Sequence, residues 1–269
     1  MVRLAKLTEE DFQAALQGSQ VCSTQQDLQR TRSLDVTEAK ALGNVLRNNT
    51  TLRTLNLALN NDLGDDGAAA LSEALRENVG LEILILNSCG IGNDGFDSLC
   101  KVFSNHQTLR ELHLGYNHIN AAGMNSLKGC LCDSSAKMTS LKLDYNCIDE
   151  PKGIDNEAAK ILSEALEQNE TLKQLDLHGN QIGDSGGKHI ALALRHNHSL
   201  LSLNLDGNLL GQVASYALLE TLRTNHTITS FIMNENAHVD GLTREECQRA
   251  VELNMHYASL APVLDEIRN

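Results

Sequence analysis

Tryptophan is absent from this 269-residue chain, and Phe, Trp and Tyr together make up 3% of it. A core must therefore be built from aliphatic side chains. Proline occurs twice, so few positions carry an obligatory break in helix or strand. Basic residues are scarce: 22 Lys and Arg stand against 35 Asp and Glu, for a formal net charge of −13. That balance argues against a phosphate backbone or an anionic membrane surface as the main partner, since such domains carry a basic patch. No apolar run approaches the ~18 residues of a membrane-spanning helix. The opening MVRLAKLTEEDF has no apolar segment of the kind a secretory leader needs, so none is expected. The seven cysteines are odd in number and form no CxxC pair. A disulfide framework or structural zinc site is not expected, and a reducing compartment is, the cytoplasm first and the nucleus as the alternative.

What the chain does have is a repeat. The unit Leu-x-x-Leu-x-Leu-x-x-Asn recurs seven times, starting at Leu52, Leu81, Leu109, Met138, Leu172, Leu200 and Ile228. Start-to-start spacings are 29, 28, 29, 34, 28 and 28 residues. A period in this range marks a solenoid, a single body that grows by stacking. Each unit opens with an alternating run whose leucines point inward, the pattern of a half-buried strand. It continues with an amphipathic helix, as in GGKHIALALRHN, where Ile190 and Leu194 share one face. Small residues near the helix start (Gly67, Gly95, Gly123, Gly186, Ala214) are expected to let helix and strand approach closely. An Asn before each next strand (Asn49, Asn78, Asn169, Asn197, Asn225) is expected to end the helix in the left-handed conformation. The Asn closing the strand motif is expected to form a hydrogen-bonded ladder with neighbouring turns.

These features predict an α/β solenoid, an open horseshoe with a concave parallel sheet and outer helices, capped by helices at both ends. Residues 1–51 are read as an N-terminal helical cap with a degenerate first repeat whose strand lies near 26–33. Residues 52–236 are read as the repeats proper and 237–269 as a C-terminal helical cap. In that cap a Thr243–Glu246 capping box is expected to open a helix to about Met255, followed by a short final helix. One unit is over-long: after Asn146 the chain reads CIDEPKGIDNEAAKIL. The extra residues predict a rim loop, with Asp149, Glu150 and Lys152 as candidate contacts; a tolerated insertion is the simpler reading.

LxxLxLxxN, a second half of the form GxxxLxxALxxN, and the 28–29 residue period together resemble ribonuclease-inhibitor-type leucine-rich repeats. The resemblance spans roughly residues 37–236 and is plainest at Thr171–Ser199. It implies a protein-binding solenoid without a cofactor. The family also includes small-GTPase activators, which keeps regulation of a GTPase through rim loops as the alternative; no segment matches a GTPase-activating site.

The strand positions not occupied by leucine face the concave side. From the third unit onward they become charged and aromatic: His113, Tyr116, Lys142, Asp144, Tyr145, Asp176, His178, Asp206 and Glu235. Tyr116 and Tyr145 are expected to be neighbours, and Tyr suits binding hot spots because it joins contact area to a polar tip. Lys142 is expected to pair with Asp176. Asp144, His178 and Asp206 fall in one column, a donor set that suits a divalent metal. Parallel neighbours lie side by side rather than converging, so no metal site is expected. A monomeric, non-enzymatic module that binds a protein partner on this face is the reading these residues favour. The register also makes Leu175 a core residue: Leu175→Ala should lower unfolding free energy by about 2–5 kcal/mol in urea titration.

Overall fold

The computed structural model describes residues 8–17, 25–28, 34–133, 135–146 and 153–268. Among these residues, eight three-residue strands stack in chain order into one parallel sheet. They are β1 (Gln25–Asp27), β2 (Thr54–Asn56), β3 (Ile83–Ile85), β4 (Glu111–His113), β5 (Ser140–Lys142), β6 (Gln174–Asp176), β7 (Ser202–Asn204) and β8 (Ser230–Ile232). Helices follow the strands: α2 (Val36–Arg47), α3 (Gly64–Leu75), α4 (Asn93–Phe103), α5 (Ala121–Leu131), α6 (Asn156–Leu166), α7 (Asp184–Leu194) and α8 (Gln212–Leu222). Helix α1 (Glu9–Gln17) precedes the array and α9 (Gly241–Arg268) closes it. The sheet is open, because β1 and β8 do not pair. Strands sit about 4.8 Å apart while helices need about 10 Å, so the stack curves with the sheet inside. Among the described residues no helix is long and apolar enough to cross a membrane.

The core follows from the period. Leu55, Leu84, Leu112, Leu141, Leu175, Leu203 and Phe231 are successive strand partners, and all are buried. The flanking leucines and one face of each helix complete a continuous aliphatic column. Each added unit buries the exposed edge of the last, which is why the array tolerates the lack of large rings.

Buried turns need partners for their backbone, and asparagine supplies them. Asn180 Nδ2 donates to the carbonyls of Leu143 and Leu177, both at 2.9 Å, and its Oδ1 accepts from Asn146 N. Asn117, Asn146, Asn208 and Asn236 repeat this reach into the preceding unit. Where the second unit has Cys89 instead, the thiol lies 3.2 Å from the Leu57 carbonyl, and burial pushes its pKa up to about 12. The ladder expected from the sequence is present.

A second amide column differs from expectation. Asn49, Asn78, Asn169, Asn197 and Asn225 end the helices, yet none has a positive φ. Their side chains act instead. Asn197 Nδ2 donates to the Leu166 and Asn169 carbonyls of the unit before, while Oδ1 accepts from Ser199 N and Leu200 N. A side chain that satisfies both the helix end and the following turn removes the need for a left-handed residue.

Three further expectations are corrected. The first strand runs Gln25–Asp27 rather than near 26–33; residues 29–33 lie outside the described residues. The C-terminal helix is one element, Gly241–Arg268, that continues through Pro262 instead of dividing after Met255; residues 255–260 contain no Gly or Pro to stop it. Asp240, not Thr243, caps it: Thr243 N donates to Asp240 Oδ1 at 2.7 Å. At the helix starts, most of the small residues admit a neighbouring unit's cap rather than the helix's own strand. Asp65 Oδ1 accepts from Gly92 N and Gly95 N, Asn156 Oδ1 from Gly183 N and Gly186 N, and Asp184 Oδ1 from Gly211 N and Ala214 N. A Cβ on Gly95 would come within 2.6 Å of the Asp65 carboxylate.

His106 stands in the helix-ending column where its equivalents are asparagine. Nδ1 accepts from Leu109 N at 3.0 Å, as an asparagine oxygen would. Nε2 is buried without a hydrogen bond of ordinary geometry, and burial lowers the histidine's pKa. As pH falls through about 6.5 the unfolded chain takes up a proton that the folded chain resists, so stability is complete above that range and declines below it. His106→Asn should raise stability by about 1–2 kcal/mol at neutral pH and flatten the acid limb of the melting temperature against pH.

Candidate protein-binding face

Position eight of each strand unit is the origin of the concave site. Leu59, Ser88, Tyr116 and Tyr145 hold it with φ of 65°, 55°, 58° and 51°, and Gly179 and Gly207 with 67° and 59°. The left-handed bend turns the chain from strand into the buried Asn. Tyr116 N donates to Asp144 O and Tyr145 N to His178 O, both at 2.8 Å, so sheet-like bonding persists past the strand ends. A non-glycine residue in this conformation costs about 1–2 kcal/mol. Two tyrosines therefore stand where the next two units use glycine.

The rings gather. Tyr116 and Tyr145 stack with centroids 4.6 Å apart and planes 25° from parallel. Tyr145 meets the His178 ring edge-on at 4.7 Å, and its hydroxyl lies 2.6 Å from His178 Nε2. Glycine makes this packing possible: a Cβ on Gly179 would fall 2.4 Å from the Tyr145 ring. Tyr145 is half-buried, whereas Tyr116 remains 46% exposed.

The charged positions divide. His113, Lys142 and Asp176 are successive strand partners. Lys142 and Asp176 nevertheless form no ion pair among those of the described residues. Asp176 Oδ1 instead accepts from His178 N at 3.0 Å, which turns the carboxylate along its own strand. Burial lowers the His113 pKa, and the Lys142 cation lowers it further. Glu111 lies 3.5 Å from His113 Nε2 and works against both.

Asp144, His178 and Asp206 do not converge. The Asp144 carboxylate lies over Gly115, His178 turns to Tyr145, and Asp206 Oδ1 accepts the Glu235 amide. No metal-holding group of His, Cys, Asp and Glu occurs among the described residues. Burial raises the Asp144 pKa, with Asp176 adding to it. Glu235 is exposed and lacks the positive φ of its equivalents. The rim-loop candidates Asp149, Glu150 and Lys152 lie outside the described residues.

Sequence reasoning placed Tyr116 beside Tyr145 but missed the left-handed bend that presents them and the glycine that seats Tyr145. The only sequence signal for either was Gly179 and Gly207 at position eight. Gly179→Ala should expel the Tyr145 ring and cost about 1–3 kcal/mol. With no Trp in the chain, tyrosine emission and near-ultraviolet circular dichroism read the loss of the stack directly.

The comparisons with known proteins agree with this architecture. A family model described as Leucine Rich repeat matches residues 48–72, 105–128 and 168–191. The chain is 33% identical over 156 residues to the ribonuclease inhibitor of Sus scrofa, a match covering 58% of this chain and 33% of that protein. It is 35% identical over 156 residues to NACHT, LRR and PYD domains-containing protein 14 of Mus musculus, covering 58% of this chain and 15% of that protein. The chain thus matches a third or less of the length of these relatives. Among solved structures, the tropomodulin C-terminal domain of Caenorhabditis elegans aligns with a TM-score of 0.50 at 15% identity, over 64% of this chain and 98% of that one. At that identity the likeness speaks to fold alone. The period, the parallel sheet with its asparagine ladders and the sequence matches together identify the array as ribonuclease-inhibitor-type leucine-rich repeats.

Proposed function

We infer that the chain is a protein-interaction module that holds its partner on the concave face from β4 to β8. The observation that carries this reading is the Tyr116–Tyr145–His178 cluster. It maintains two aromatic side chains in a costly backbone conformation and leaves one of them 46% exposed. The bend itself belongs to the repeat, since Leu59 and Ser88 share it; a stacked pair of rings held at the surface where the next two units carry glycine points to use. His113, Lys142, Asp144, Asp176, Asp206 and Glu235 surround the cluster and supply polar contacts of both signs. The relatives support the class: the porcine match is named for inhibiting a ribonuclease, itself a protein. The module works as a monomer and needs no cofactor in this reading. No described residue favours regulation of a small GTPase, since the rim loop that reading would use is not described.

Tyr145→Ala and Asp176→Ala should each weaken capture of a partner from source lysate by tenfold or more, a hot-spot-sized loss, with the thermal transition still cooperative. Equal capture by both variants and the wild type would overturn the concave assignment.

A further inference from the structure

The concave face is charged asymmetrically. From β4 to the turn after β8, its outward positions carry Glu111, Asp144, Asp176, Asp206 and Glu235 against the single cation Lys142. Elsewhere on the molecule several acids pair with Lys or Arg. Arg47 meets Glu77, Lys128 meets Glu164, and Arg223 meets Glu220 and Glu246 on the helical side. Arg53 meets Glu82 where strands begin. Of the five concave carboxylates, only Glu111 has an ion-pair contact among the described residues, and its partner is a histidine. Asp176 and Asp206 each accept one backbone N–H.

At the β4 end of these acids lies the exposed ring of Tyr116, backed by Tyr145. The Asp144 carbonyl receives the Tyr116 amide, and the Asp144 carboxylate lies over Gly115, the residue before Tyr116. Burial and Asp176 both press against the charge on Asp144, so an arriving cation would relieve the cost of holding it. A ring face beside carboxylates attracts planar cations most strongly, and guanidinium can stack on the ring while donating sideways to a carboxylate.

We propose that the concave face binds a basic, arginine-bearing segment of a partner protein, with one guanidinium lying on Tyr116 beside Asp144. Flanking cations of the segment meet Asp176, Asp206 and Glu235. The assignment rests on the concave-face reading above and adds the chemistry of the partner to it. An acidic or phosphorylated segment would meet like charge, and Lys142 alone would not offset it.

The test is selection of short random peptides displayed on phage against the whole chain, followed by binding of a synthetic alternating glycine–arginine peptide and its lysine and citrulline counterparts. Expected are selected peptides enriched in arginine, affinity falling with salt, and the order arginine over lysine over citrulline. Tyr116→Gly should weaken the arginine peptide by about fivefold, and Asp144→Asn should bring it towards the citrulline peptide. Glycine suits the left-handed position, so Tyr116→Gly leaves the fold intact, as thermal unfolding will confirm. Peptides that lose binding on Tyr116→Gly yet carry no excess of arginine or lysine would overturn the charge assignment and leave the concave reading standing. Peptides that bind wild type and Tyr116→Gly equally would remove the concave reading itself. If no peptide is selected and the glycine–arginine probe does not bind, the proposal fails.

Discussion

The primary amide of asparagine carries this structure. A parallel stack of tight turns brings carbonyls and N–H groups together inside the protein, where water cannot serve them. Nδ2 of a strand-closing Asn reaches the unit behind, and Oδ1 takes an amide from that unit's turn, as with Asn208 serving Leu177 O and Ile182 N. A carboxylate could not donate there, and a hydroxyl has too short a reach. The leucine core makes stacking favourable, but the amides make the turns between leucines possible. A second column, at the helix ends from Asn78 to Asn225 and within α9 at Asn254, does the same work on the other side of the units.

The concave face inherits its geometry from that requirement. To bury Asn at position nine, the chain bends at position eight with positive φ. A side chain at the bend is lifted out of the sheet and presented. Where the bend carries Gly179 or Gly207, a neighbour's ring can lie across it: Tyr145 over the first, His178 beside the second. A demand for backbone hydrogen bonds in the core thus decides which surface residues stand proud and which lie flat. The residues exposed on the concave face and the residues that fold are separate, yet the second group sets the pose of the first.

Much of the fold was legible because burial alternates with period two in the strands and 3.6 in the helices, and leucine marks both. The central strand leucines fall into register without exception. What was not legible was backbone conformation. Tyr116 and Tyr145 are poor candidates for a left-handed bend, and only the two glycines of the same column hinted at it. Conversely, asparagine at the helix ends suggested a left-handed cap and turned out to act through its side chain. The caps that Asp65, Asn93, Asn156 and Asp184 lend to the next helix were hidden for another reason. A cap partner about thirty residues away in sequence has no local signature. On the concave face, adjacency was readable but pairing was not: Lys142 lies in register with Asp176, whose carboxylate is already engaged by His178 N.

The two kinds of side-chain bond between units point in opposite directions. Strand and helix-end amides reach back, as Asn197 does to Leu166 O, while the helix-start caps reach forward, as Asp184 does to Ala214 N. A junction that carries both bonds, such as that between α7 and α8, is consequently latched from both of its faces. Parting one leaves unmet carbonyls behind and unmet amides ahead, so no single unit can peel away without exposing polar backbone on its neighbour as well as on itself. The polarity also dictates different chemistry at the two ends of the stack. Helix α2 takes its cap from Asp35 just before it, in a box with Glu38, whereas the last repeat receives an amide from Asn254 in α9 beyond it. Any graft that lengthened or shortened this array would have to respect that direction, because an end suited to one side of a unit does not fit the other.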